Sequence, residues 1–114
     1  MGTISMMNLE ELREVARKNG SINVDLASAW SLRWHDPSWI VIWERWNKAR
    51  HVWRENMLRW FDDIRLGHGR FEEGDDVYNP NPERIGDPEL AAMAREYIEA
   101  REAYLGANKL YPGD

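Results

Sequence analysis

Four tryptophans recur every seven residues between positions 39 and 60, and this spacing limits the folds open to the chain. They are Trp39, Trp46, Trp53 and Trp60, and with Trp43 the segment holds five of the seven tryptophans. Seven residues make nearly two turns of an α-helix, so these side chains share one helical face. The pattern predicts a long amphipathic helix with a tryptophan stripe, a name used below for these five residues.

The predicted boundaries of this helix come from its capping residues and breakers. Asp36 is a favourable N-cap and Pro37 suits the first helical position, where no N–H is needed. The next helix breaker is the sequence Gly67-His68-Gly69. We therefore expect the helix to span about residues 37–66.

Two short N-terminal helices are predicted before it. The first follows Asn8, whose side chain can cap free N–H groups, and ends at a left-handed turn over Asn19-Gly20. The second is expected to begin near Asp25 and to end near His35, because the residue before a proline avoids helical geometry.

A C-terminal helix is predicted over about residues 88–105, with Asp87-Pro88 as cap and first residue and Gly106 at its end. Before it lies a polar stretch, about residues 67–86, which is too long for an ordinary connection. It is expected to be a functional loop or a mobile linker. The predicted fold is all-α, a small helical bundle in one domain of residues 1–114.

The tryptophan stripe must be covered, and two covers are possible. Burying one tryptophan removes about 150–250 Å² from water, worth about 4–6 kcal/mol. Five exposed indoles would cost more than the net stability of a domain, about 5–15 kcal/mol. The cover is either the C-terminal helix with the N-terminal pair, or another copy or partner. The C-terminal helix offers one wide face of Leu90, Met93, Ala94, Tyr97, Ala100, Tyr104 and Leu105.

These features favour a non-catalytic protein–protein interaction or assembly module, with a homo-oligomer as one form of it. The partner is expected to be another protein or further copies of the chain. Arg50, the one charge within the stripe, could stack on a neighbouring indole, extend to water or fix the register of an assembly. The candidate partner-binding residues are Trp39, Trp43, Trp46, Arg50, Trp53 and Trp60.

The alternative function is a small nucleic-acid-binding regulator. Its binding element would be a helix-turn-helix-like N-terminal pair, at about residues 9–34. The formal net charge of −5 argues against nucleic acid as a partner.

The sequence predicts no enzyme, catalytic residue, cofactor or metal site. His51 and Glu55 are four residues apart, but such pairs are common on solvated helices. The acidic residues between positions 72 and 76 lack the ligand spacing of a calcium loop. The longest apolar run, Trp39 to Trp43, is far shorter than the roughly 20 residues of a membrane span. With no cysteine and no signal peptide pattern, a cytoplasmic location is expected.

Overall fold

Helices dominate the structure, a computed structural model that describes residues 6–20 and 22–109. Within these ranges there is no β-strand, and Asp76 and Asn79 form an isolated bridge. The predicted all-α fold is confirmed, with the helix Pro37–Asn56 packing against the helix Pro88–Asn108. The helices are α1 (Leu9–Asn19), α2 (Ala29–Leu32), α3 (Pro37–Asn56), α4 (Arg59–Arg65) and α5 (Pro88–Asn108), with 3-10 helices at Arg33–His35 and Pro82–Arg84.

Helix α1 has the predicted start and end. The Asn8 side-chain oxygen accepts a 2.9 Å hydrogen bond from the Glu11 N–H, and so caps the first turn. At the other end Gly20 has a φ of 63°, a left-handed conformation that glycine adopts without a steric cost. Both signals are local, which explains why the sequence alone located them.

Helix α2 is much shorter than predicted, and its expected start at Asp25 is wrong. The Asn23 side chain accepts a 3.2 Å hydrogen bond from the Asp25 N–H, and this local bond favours a turn over a helix. The helix begins after Ser28, whose hydroxyl accepts from the Ser31 N–H at 3.1 Å. The chain continues as a 3-10 helix to His35, so the predicted end is confirmed.

The long helix predicted over residues 37–66 is divided into α3 and α4 by a turn at Met57 and Leu58. There the Trp60 N–H donates to the Met57 carbonyl at 3.1 Å, a spacing of three residues rather than four. The Asn56 amide also donates to the Val52 carbonyl at 2.8 Å, a side-chain bond that competes with regular helix bonding. An uninterrupted helix was the wrong prediction, and Trp60 belongs to α4.

Helix α5 is longer than predicted, because it passes through Gly106 and ends at Asn108 rather than near Leu105. Ala107 is buried, and the Asn108 side-chain oxygen accepts a 2.9 Å hydrogen bond from the Trp39 indole N–H. These tertiary contacts offset the cost of glycine inside a helix, about 1 kcal/mol. Residues 110–114 lie outside the described residues.

The chain divides into two compact units, and each has its own hydrophobic core. The first unit comprises residues 1–44 and 103–114, and the second comprises residues 45–102. The buried core of the first consists of Leu12, Ala16, Val24, Leu32, Trp39 and Ala107. That of the second consists of Trp53, Trp60, Ile85, Leu90, Ala91, Ala94 and Tyr97.

Candidate protein interaction surfaces

Three members of the tryptophan stripe are completely buried. Trp39 is 0% exposed in the first core, and Trp53 and Trp60 are 1% and 0% exposed in the second. The Trp53 indole N–H donates a 2.6 Å hydrogen bond to the Val77 carbonyl. The chain itself thus covers these three side chains, which stabilise its cores, and their predicted role in partner binding stays a prediction.

The other two stripe tryptophans are half-buried. In the first unit Trp43 lies 5.2 Å from Trp34 between ring centroids. In the second unit Trp46 lies at the same distance from Tyr97. Both keep part of the indole accessible, so each combines a packing role with some exposed surface.

Arg50 lies against one of these indoles and also extends to solvent. Its guanidinium carbon is 5.8 Å from the Trp46 ring centroid, within the range of a cation–π contact. One guanidinium nitrogen donates a 2.7 Å hydrogen bond to the Asn47 side chain. The exposed position indicates a modest contribution to stability and leaves the charge available to a partner.

A buried arginine among tryptophans is a feature that the sequence analysis missed. The Arg33 guanidinium carbon lies 3.4 Å from the Trp30 ring centroid, 4.8 Å from that of Trp39 and 5.2 Å from that of Trp34. It donates to the Trp30 carbonyl, and burial lowers the pKa of Arg33. Trp30 and Trp34 stay 38% and 44% exposed. The spacing of Trp30, Arg33 and Trp34 at i, i+3 and i+4 was the available signal.

An open groove lies between α3 and α5 in the second unit, with a volume of about 660 Å³. We call it the α3–α5 groove. Each wall uses residues at i, i+3, i+4 and i+7, the spacing of one helical face. The α3 wall consists of Arg45, Lys48, Ala49 and Val52, and the α5 wall consists of Glu89, Ala92, Met93 and Glu96.

Ion pairs join the two sides of the groove. The Arg45 guanidinium makes hydrogen bonds of 2.8 and 2.7 Å with the Glu96 carboxylate. These bonds raise the pKa of Arg45 and lower that of Glu96. Arg59 lies 2.7 Å from Asp87 and 3.9 Å from Glu89. One wall is therefore basic and the other acidic, with small and apolar residues between them.

Residues 67–86 form a loop with specific contacts to the rest of the second unit. Arg84 donates to Asp75 at 2.7 Å, and this hydrogen bond is the main cause that lowers the Asp75 pKa to about 2. The buried Asp63 side chain accepts from the Gly86 N–H at 2.9 Å. A Cβ on Gly86 would lie 1.8 Å from the His68 carbonyl oxygen, so only glycine fits. These contacts argue against the mobile linker, and the functional loop stays a prediction.

The residues considered for metal chemistry are exposed and dispersed. His51 Nε2 lies 3.0 Å from a Glu55 carboxylate oxygen, with both side chains well exposed. Across residues 6–20 and 22–109, no group of three or more histidine or acidic side chains could hold a metal ion. In the same ranges no helix has the length and apolar character needed to cross a membrane.

No protein-family model matches this sequence, and no curated protein or solved structure shows significant similarity to it.

Proposed function

We propose that the chain is a non-catalytic protein–protein interaction module that binds its partner in the α3–α5 groove. The observation that carries this proposal is a groove of about 660 Å³ whose two walls have matching helical spacing. A groove of this kind accepts an amphipathic helix, whose apolar residues at i, i+3, i+4 and i+7 fit between the walls. Ala49 and Ala92 are small, which allows a partner backbone to approach closely.

The groove suits a macromolecular partner better than a small ligand. Binding sites for small molecules bury most of the ligand surface inside a concave cavity. Here Lys48, Glu89 and Ala92 are exposed along the rims, so one side of the groove stays open to solvent. An open groove with charged rims resembles an interface with an apolar centre and a polar rim.

The buried tryptophans support this function by keeping the walls rigid. Trp53 lies one helical turn after the groove residue Ala49. Its ring centroid is 6.5 Å from that of Trp60 and 6.1 Å from that of Tyr97. A preformed groove loses less conformational entropy on binding than a flexible one. The striped helix thus takes part in binding through the face that carries Lys48 and Ala49.

The nucleic-acid alternative has less support. Helix α2, which would be the reading helix, has four residues, and Arg33 directly after it is buried. A cytoplasmic location remains part of the proposal, because a chain without cysteine suits a reducing compartment.

Photo-crosslinking in cells tests the proposed site. A photoreactive phenylalanine analogue replaces Ala92 on the groove rim in one variant and Lys48 in a second. Two positions are used because the bulky analogue could itself prevent partner binding at one of them. Glu102, exposed on the same helix but pointing away from the groove, is the matched control position. We expect protein adducts at positions 92 and 48 well above those at 102. Equal or absent adducts at all three positions would contradict the proposed site.

A further inference from the structure

We infer that the partner in the α3–α5 groove is a second copy of this chain, related to the first by a two-fold axis along the groove. The inference rests on the proposed function, which assigns the groove to protein binding. The charges on its walls and the directions of its helices identify the occupant.

The two walls carry opposite charges that the chain neutralises only in part. Arg45 and Glu96 are paired with each other at 2.7 Å. Lys48 on the α3 wall is exposed, and its charge helps to lower the pKa of Glu96. Glu89 on the α5 wall has a side chain 72% exposed, with Arg59 at 3.9 Å. A good occupant therefore presents an acidic surface to the α3 wall and a basic surface to the α5 wall.

The groove itself presents one surface of each kind, a basic wall on α3 and an acidic wall on α5. Two copies can face each other across their grooves with the two-fold axis either perpendicular to the helices or along them. A perpendicular axis places α3 on α3 and brings Lys48 near its own copy, which is repulsive. An axis along the groove places α3 of one copy on α5 of the other. The basic α3 wall of each copy then faces the acidic α5 wall of the other, so the same contact occurs twice, as a closed two-fold interface requires.

Helix direction favours the same axis. Arg45, near the start of α3, pairs with Glu96, at the C-terminal end of the α5 wall. Arg59, which follows the end of α3, pairs with Asp87, which precedes the start of α5. The two helices are therefore antiparallel. Rotation about an axis along the groove keeps the direction of each helix, so α3 of one copy lies antiparallel to α5 of the other. The result is a four-helix arrangement in which every neighbouring pair is antiparallel, a common and stable packing.

The apolar residues of the groove fill the centre of this arrangement. With the levels set by the Arg45–Glu96 pair, Met93 of each copy lies close to the level of the small residue Ala49 of the other. Large side chains opposite small ones allow close packing between the helices. The charged residues then surround an apolar centre, as in known protein interfaces.

Charge reversal with mixing of variants tests the inference. The molar mass of the full chain is measured by light scattering across a wide concentration range. We expect the wild-type mass to rise toward twice the chain mass. Lys48→Glu and Glu89→Lys each place like charges across the interface, so each variant should dimerise at least about tenfold more weakly. An equimolar mixture should dimerise again, because a heterodimer has opposite charges at both contacts.

Two variants serve as matched controls. Arg54→Glu changes the charge of α3 by the same amount on another face, and Glu102→Lys does so on α5; both residues are exposed. We expect both to keep the wild-type mass profile. Circular dichroism establishes that all four variants keep their helix content.

The outcomes separate this inference from the proposed function. A wild-type monomer at every concentration overturns the inference, and so does a dimer that neither reversal weakens or a mixture that stays monomeric. If groove crosslinks then join the chain to a protein of another mass, the proposed function holds while the second copy is excluded. A dimer that each reversal weakens, and that mixing restores, supports both.

Discussion

At the scale of single residues, tryptophans that look equivalent in the sequence have different environments. Trp53 and Trp60 are seven residues apart, fully buried and in contact. The Trp53 indole N–H donates to the Val77 carbonyl at 2.6 Å. Among the described residues, the Trp60 indole N–H has no acceptor. A buried donor without an acceptor carries a desolvation cost. The indole N–H therefore stabilises the folded state at Trp53 and destabilises it at Trp60.

A pair of matched substitutions measures this difference. Trp53→Phe and Trp60→Phe both shrink a buried aromatic ring, but the first also leaves the Val77 carbonyl without its donor. We expect Trp53→Phe to lower the free energy of unfolding by about 1 kcal/mol more than Trp60→Phe. Urea denaturation of both variants gives the comparison. A larger loss for Trp60→Phe would contradict this assignment of the hydrogen bonds.

Helical periodicity predicted which side chains are apolar and share a face, but not what each one contacts. The cluster of Arg33 with Trp30, Trp34 and Trp39 forms because the chain turns between α2 and α3. Its geometry depends on tertiary positions that no local pattern encodes. The same holds for the acceptor of the Trp53 indole, which comes from the loop 24 residues away.

At the scale of elements, helix boundaries set by a local side-chain cap or a glycine turn were easier to predict than boundaries that depend on tertiary contacts. Asn8 and Asp36 cap their helices through side-chain bonds to nearby N–H groups, and such bonds are readable from the sequence. The end of α5 depends instead on Ala107 and Asn108 packing in the first core. The turn at Met57 and Leu58 has no glycine or proline to signal it.

The loop of residues 67–86 should give the second unit a specific dependence on acid. The Asp75 pKa falls from 3.8 to about 2, first because Arg84 donates to it and then because the Glu72 N–H does. A lowered carboxylate pKa stabilises the folded state above the unfolded pKa. This stabilisation is therefore complete above about pH 4 and is lost as the pH falls toward about 2.

Replacing this carboxylate tests the effect. We expect Asp75→Asn to lower the denaturation midpoint at neutral pH and to approach the wild type as the pH falls toward about 2. Glu73→Gln, on an exposed neighbour in the same loop, is the control and should follow the wild type throughout. A difference between Asp75→Asn and wild type that does not change with pH would show that the Asp75–Arg84 pair does not act through this charge.

At the scale of the whole molecule, the fully buried tryptophans belong to two hydrophobic cores, and the proposed binding surface is the α3–α5 groove. The candidate binding residues predicted from the sequence are the stripe tryptophans and Arg50, whereas the proposed groove uses Arg45, Lys48, Ala49 and Val52 of the same helix. The groove could not be predicted, because it requires α5 to lie antiparallel beside α3. Only that placement brings Lys48 and Glu89 to opposite walls. The proposed dimer follows from the resulting charge pattern, not from the stripe.

The solvent accessibility of each tryptophan is the most direct test of internal cover. The chain is labelled with fluorotryptophan, its seven fluorine resonances are assigned with single Trp→Phe variants, and a soluble gadolinium chelate is added to a dilute sample. We expect strong broadening for Trp30 and Trp34, which are 38% and 44% exposed. The resonances of Trp39, Trp53 and Trp60 should stay sharp at every protein concentration. Broadening of these three comparable to that of Trp34, or protection only in concentrated samples, would show that a partner rather than this chain covers the stripe.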